Sequence, residues 1–117
     1  MYALFLILND IHKLDDIHEI FYEYHCGATT LDSQGMGKVL LEHNEDIPVF
    51  ASIRQLVEGT KPYNKTIISV IKEKQLLDKV IKRINEELDY IHKPGIGFMF
   101  VIPVLDCFGS KIKEKDG

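Results

Sequence analysis

The segment "DSQGMGKVL", residues 32 to 40, places Gly35 and Gly37 around Met36 and follows them at once with Lys38. Glycine lets backbone N–H groups approach a ligand closely, and a lysine adds a charge suited to phosphate. The same residues also make an ordinary turn, and Gly-x-Gly-Lys lacks the full spacing of a nucleoside-triphosphate loop. A second glycine pair, Gly95 and Gly97 in "PGIG", follows a helix-like stretch. Locally it reads as a helix stop and a tight strand start, because Pro94 cannot continue a helix and Gly95 turns the chain readily. The histidines invite a metal reading, with His12 and Asp16 one helical turn apart, but zinc sites gather three or four ligands. His25 precedes Cys26, yet adjacent helical residues do not face each other, and a catalytic Cys–His pair wants a third, orienting group. No nucleophile-base-orienter set and no paired carboxylates stand near either glycine turn. The residues therefore point away from an enzyme, with no catalytic and no metal residues assigned, and taken alone "GMGK" reads as a structural turn.

These residues must be held by one domain spanning 1–117, since 117 residues bury about two-thirds of their unfolded surface without staples. Hydrophobic residues make up 45% and charged residues 27%, as in ordinary globular proteins. A formal charge of −4 argues against a nucleic-acid or anionic-membrane partner, whose footprint would be basic. Two cysteines, Cys26 and Cys107, fit a reducing compartment with buried thiols better than a disulfide framework. The start, "MYALFLILND", lacks a basic n-region and a small-residue cleavage site, and no run approaches the roughly 18 apolar residues of a membrane span. A cytoplasmic location is the expectation.

"YALFLIL" (2–8) reads as a buried strand, after which Asn9 or Asp10 can cap a helix running through the middle twenties. Leu14, Ile17, Ile20, Phe21 and Tyr24 share its apolar face, and Gly27 ends it. "ATTLDS" resumes strand chemistry, residues 34 to 62 form a long excursion, and "YNKTIISVI" (63–71) is the next strand. A second helix carries Leu76, Leu77, Val80, Ile81, Ile84, Leu88 and Ile91, and "FMFVIPV" is the last strand, with a frayed tail from about 110. Within the excursion, "PVFASIRQLVEG" (48–59) is apolar at helical spacing and predicts a short docked helix. "NKT" (64–66) matches a glycosylation site in form only, since a cytoplasmic chain never meets that enzyme. Lys65 within it can reach a cleft or solvent.

The order β-α-β-β-α-β predicts an α+β, ferredoxin-like sandwich: a four-stranded antiparallel sheet with two helices on one face. The other face should alternate with polar residues, yet "YALFLIL" and "FMFVIPV" are apolar at both alternations. Such a face exceeds what monomers usually leave in water. Self-association through the sheet is the expected cover.

"KLDD" (13–16), "GATTLDSQGMGK" (27–38), the long loop after them and "PGIGFMFV" (94–101) together resemble the PII-type nitrogen-regulatory signalling proteins, over residues 2 to about 108. The resemblance implies the same ferredoxin-like fold and a homotrimer whose sheets pack around the axis. It implies an adenine nucleotide (ATP, ADP or AMP) or a similar small anionic effector in clefts between subunits, and a long loop that docks onto a protein target such as a transporter, channel or enzyme. By that resemblance Gly27, Thr29, Gly35, Gly37 and Lys38 fall on nucleotide-contacting positions, and Gly95 and Gly97 on the glycines of the second turn. The family's pair of C-terminal arginines aligns with Gly109 and Lys111, and Phe98 stands where the family usually has a phosphate-binding lysine. Each missing charge-assisted contact implies a loss of ~1.5–3 kcal/mol, unless Lys61, Lys65, Lys111 or Lys113 compensates. Residues 39 to 62 contain no tyrosine, which closes the family's nucleotidylation route, and Ser52 reads as an ordinary loop serine. Two other readings share the architecture: a metal-responsive trimer like the CutA proteins, and a structural trimer that has lost its ligand.

Overall fold

A computed structural model describes residues 1–36, 63–89 and 95–109. Among them the chain runs β1 (Tyr2–Leu8), a 3-10 turn (Ile11–Lys13), α1 (Leu14–Glu23), β2 (Thr29–Gln34), β3 (Tyr63–Ile71), α2 (Lys74–Leu88) and β4 (Gly97–Pro103). The four strands form one sheet in the order β2-β3-β1-β4, every neighbouring pair antiparallel. This α+β arrangement is compatible with a ferredoxin-like fold. No helix among the described residues is long and apolar enough to cross a membrane.

Alternation along the strands divides the sheet into two faces. Leu4, Leu6 and Leu8 of β1 and Ile67 and Ile71 of β3 are buried with Ile17, Ile20 and Phe21 of α1 and Leu77, Val80, Ile84 and Leu88 of α2. These are the positions at which the helical periodicity of both segments predicts a core stripe; Ile91 lies outside the described residues. The intervening strand positions make the other face, where Phe98, Phe100 and Ile102 of β4 and Leu31 of β2 remain exposed. Phe5 of β1 lies opposite Phe100 in register, the two rings stacked at 4.9 Å and 2° apart, and Phe98 continues the row at 6.1 Å. Just beyond β4, Leu105 and Phe108 are also exposed.

Both helix ends depart from the glycine stops that the sequence suggests. Asp10, as expected, accepts a hydrogen bond from the His12 N–H at 3.1 Å and starts the 3-10 turn that leads into α1. However, α1 ends at Glu23 rather than at Gly27. His25 adopts a left-handed conformation (φ 58°), its N–H donates to Tyr22 O at 3.0 Å, and the Cys26 N–H reaches back to Phe21 O at 2.8 Å. That is a Schellman-type cap with histidine in the position glycine usually takes. Likewise α2 stops at Leu88 with Asp89 left-handed (φ 52°), before the Pro94–Gly95 segment.

An ion pair ties the start of α1 to α2: Lys13 Nζ lies 3.1 Å from Glu87 Oε2, and Arg83 Nη1 lies 3.4 Å from Oε1. The hydrogen bond from Lys13 holds the Glu87 carboxyl below its ordinary 4.5. A depressed carboxyl stabilises the fold above the unfolded-state value, and that contribution is lost as pH falls through the folded one. Lys13→Met should therefore lower stability by about 0.5–1 kcal/mol at pH 7. Urea titrations should show the difference from wild type shrinking as the pH drops below 4.5.

Candidate functional site

The turn before β4 is built against the end of β1. Gly95 is left-handed (φ 88°), and its carbonyl accepts a hydrogen bond from Asn9 Nδ2 at 3.1 Å. Ile96 O accepts from the Asn9 N–H at 2.7 Å and the Asp10 N–H at 3.2 Å. Gly97 then passes so close to β1 that a Cβ there would lie 2.2 Å from Ile7 O and 3.2 Å from Leu8 Cα. Backbone contact alone therefore requires glycine at 97, whatever the turn binds. Position 95 needs it for its backbone angle.

Gly35 leaves β2 at the same end of the sheet. A Cβ on it would meet only Asn64 Nδ2, at 4.0 Å, an ordinary contact. Beneath it lies a small polar group on the open face: Ser33 Oγ donates to Asn64 Oδ1 and lies 2.9 Å from Thr66 Oγ1. The turns containing Gly35 and Gly95–Gly97 thus stand at the same end of the sheet, on its two outer strands and about 14 Å apart at ordinary strand spacing. Gly27 and Thr29 do not join them. They stand at the opposite end of the six-residue β2, about 20 Å away at ordinary strand rise. Thr29 is exposed and pairs with Ile68, while Gly27 O accepts from Ser69 Oγ at 2.6 Å. Gly37, Lys38 and Lys111 lie outside the described residues, as do Lys61, Lys113, Ser52 and the 48–59 segment.

Lys65 does not supply the missing charge on this face. It alternates to the helix side of β3, opposite Leu8 and Asp32, and its ammonium pairs with the Asp32 carboxylate. Phe98, in the position where the resemblance would place a phosphate-binding lysine, instead extends the aromatic row on the open face.

The glycosylation match at Asn64 is structural. Asn64 is 8% exposed, inside β3, and hydrogen-bonded. The thiols divide: Cys26 is half-buried and its burial pushes the pKa up, which leaves it a poor nucleophile beside His25, whereas Cys107 is exposed on the segment after β4 and not buried as expected. His18 Nε2 lies 2.7 Å from Thr30 Oγ1, a contact between α1 and β2. Among the described residues no group of three or more His, Cys, Asp or Glu side chains could hold a metal ion.

Sequence reasoning missed Asn9, Ser33 and Asn64 as members of this end of the sheet. Asn9 reads only as the end of a strand and a candidate helix cap, and Asn64 only as part of "NKT". Asn9 and Asn64 are polar residues beside the apolar runs of β1 and β3, whereas Ser33 gives no signal within the polar "TTLDSQ" of β2. No protein-family model matches this sequence, and no curated protein matches it.

Proposed function

We propose that this chain is a PII-like signal-transduction protein, a non-enzymatic homotrimer of ferredoxin-like subunits that senses a small anionic effector, an adenine nucleotide or a similar molecule. The effector sits in clefts between subunits, and the 34–62 segment reports occupancy to a target protein such as a transporter or enzyme. One observation carries this reading. The residues that the resemblance gathers into a single cleft are split by β2, with Gly35 and the Gly95–Gly97 turn at one end and Gly27 and Thr29 at the other. No single copy can wrap one nucleotide with both sets, so a shared site requires a neighbouring copy. The uncovered aromatic row beside Gly97 offers the surface for that neighbour.

Lys38 is the main anion contact in this reading, supported by backbone N–H groups around Gly35, Gly37, Gly95 and Gly97. With Phe98 in the stacked row and Lys65 held by Asp32, a triphosphate gains less charge here than the family pattern would give it. The experiment is a thermal-shift screen at fixed protein concentration against ATP, ADP, AMP, cyclic nucleotides, bicarbonate, 2-oxoglutarate and divalent metals. Binding to the folded form raises the melting temperature with dose, by about 2.7 kcal/mol of added stability at a hundredfold excess over Kd. An adenine nucleotide should give such a rise, and Lys38→Ala should weaken it at least tenfold, about 1.4 kcal/mol, without changing the oligomer. Equal affinity in Lys38→Ala removes that residue from the site. No rise with any nucleotide removes the sensor reading in favour of a structural trimer, and a rise with one metal alone favours the metal-responsive trimer.

A further inference from the structure

The geometry points to Asn9 and Asn64 as positioning residues that couple the two glycine turns across the sheet. The registers place them on one line. Leu8 pairs with Lys65 and with Gly97, so the next positions along β1 set Asn9 opposite Asn64 on one side and Ile96 on the other. Ser33 is the register partner of Asn64 on β2. A single row therefore crosses all four strands as Ser33, Asn64, Asn9 and the Gly95–Ile96 backbone.

Hydrogen bonds along this row run in one direction. Thr66 Oγ1, 2.9 Å from Ser33 Oγ, can donate to it; Ser33 Oγ donates to Asn64 Oδ1; Asn64 Nδ2 donates to Asn9 Oδ1 at 3.3 Å; and Asn9 Nδ2 donates to Gly95 O at 3.1 Å. Each amide accepts through its oxygen and donates through its nitrogen, so flipping one breaks contacts on both sides. Bonds aligned this way reinforce one another, and a buried amide that loses its partner finds no water to replace it. Asn64, at 8% exposure, is in that position. Elsewhere on this face β1 and β3 present Ala3, Phe5, Ile7, Ile68 and Val70, and Thr29 of β2 stands at the far end, so the continuous polar row lies at the end of the sheet that carries the two glycine turns. A shift of the Gly95–Gly97 turn must carry Asn9 with it or break the chain that ends beneath Gly35. An anion that orders one turn thereby favours one position of the other.

What the turns bind rests on the sensor reading, but the coupling does not, so its test is made without ligand. In Asn9→Ala, nuclear magnetic resonance should show the Gly35 amide signal displaced, although Asn9 lies two strands from β2, about 10 Å across the sheet. In Ser33→Ala, a milder change that also serves if Asn9→Ala does not fold, the Gly95, Ile96 and Gly97 signals should move in return. The double variant Asn9→Ala/Ser33→Ala should have an unfolding constant more than threefold away from the product of the single effects, because both changes act through Asn64. Residues that merely satisfied local backbone groups would shift only their own neighbours and would combine additively, and that result overturns the proposal. If wild type binds ATP in the screen above, Asn9→Ala should weaken ATP at least fivefold, and unchanged ATP affinity would remove the link to ligand. Failure of wild type to bind any nucleotide would count against the sensor reading alone, since the ligand-free signals decide the coupling.

Discussion

Gly97→Ala should lower the thermal midpoint by roughly 10 °C, a larger effect than alanine at Gly27, Gly35 or Gly109 should have. The added Cβ meets the carbonyl oxygen of Ile7 at 2.2 Å and the backbone at Leu8 at 3.2 Å, and neither can rotate away as a side chain would. Relief requires β4 to move off β1 at their shared end, which breaks the register pair Leu8–Gly97. Overpacking of this kind costs ~2–3 kcal/mol, which corresponds to the shift above for a domain of this length. Two other glycines provide the contrast in the same calorimetric series. A Cβ at Gly27 meets nothing within 4 Å, and one at Gly35 makes only ordinary contact with Asn64, so alanine at either should melt close to wild type. A wild-type midpoint for Gly97→Ala would mean that β4 does not approach β1 as described. The contrast also sorts the glycines by what a binding experiment can learn from them. Lost ligand affinity in Gly97→Ala would report a damaged strand pair, whereas the same loss in Gly35→Ala would report the ligand site.

The strands were legible because their signals are local. "YALFLIL" and "YNKTIISVI" coincide with β1 and β3, since short length together with aromatic or β-branched content favours a strand over a helix in such segments. The core stripes of both helices were equally legible from spacing. Helix ends were not, because His25 and Asp89 take the left-handed role that sequence reasoning assigns to glycine, and the cost of that conformation is offset by the capping hydrogen bonds.

The candidate site was legible in its glycines and illegible in its supports. Glycine announces a backbone requirement by its presence, so Gly35, Gly95 and Gly97 could be singled out one at a time. The function of Asn9, by contrast, exists only once the registers β1–β3 and β1–β4 are fixed, because only those align it with Asn64 and Ile96. Lys65 shows the same dependence in the other direction. Its charge suited a phosphate, but the pleat turns it to the helix side and register sets it opposite Asp32.

Phe100→Asp should convert the protein from a species of about three chain masses to a monomer of 13.5 kDa in sedimentation velocity. On the proposed trimer the open face meets its copies, and Phe100 sits at the middle of its aromatic row, parallel to Phe5 at 4.9 Å and next to Phe98. An aspartate there would be an unpaired charge taken out of water on association. Stranding such a charge costs about 3 kcal/mol or more per interface, over a hundredfold in each association constant. Within a single copy the same change is mild, because Phe100 is already 42% exposed and faces away from the helices. The effect should therefore appear in mass far more than in the folded signal of the separated chain. Tyr22→Asp is the matching control: Tyr22 is a large exposed aromatic on α1, on the other side of the sheet, and its replacement should leave the mass unchanged. Wild type sedimenting as a monomer would remove the trimer directly. A Phe100→Asp variant that keeps three chain masses would show that the copies meet elsewhere, with the exposed Leu105–Phe108 segment the next surface to substitute. Loss of nucleotide binding together with loss of the trimer in Phe100→Asp, with Lys38 and every glycine intact, would place the ligand between copies, in keeping with the proposed site that takes Gly27 and Thr29 from one copy and Gly35 from another.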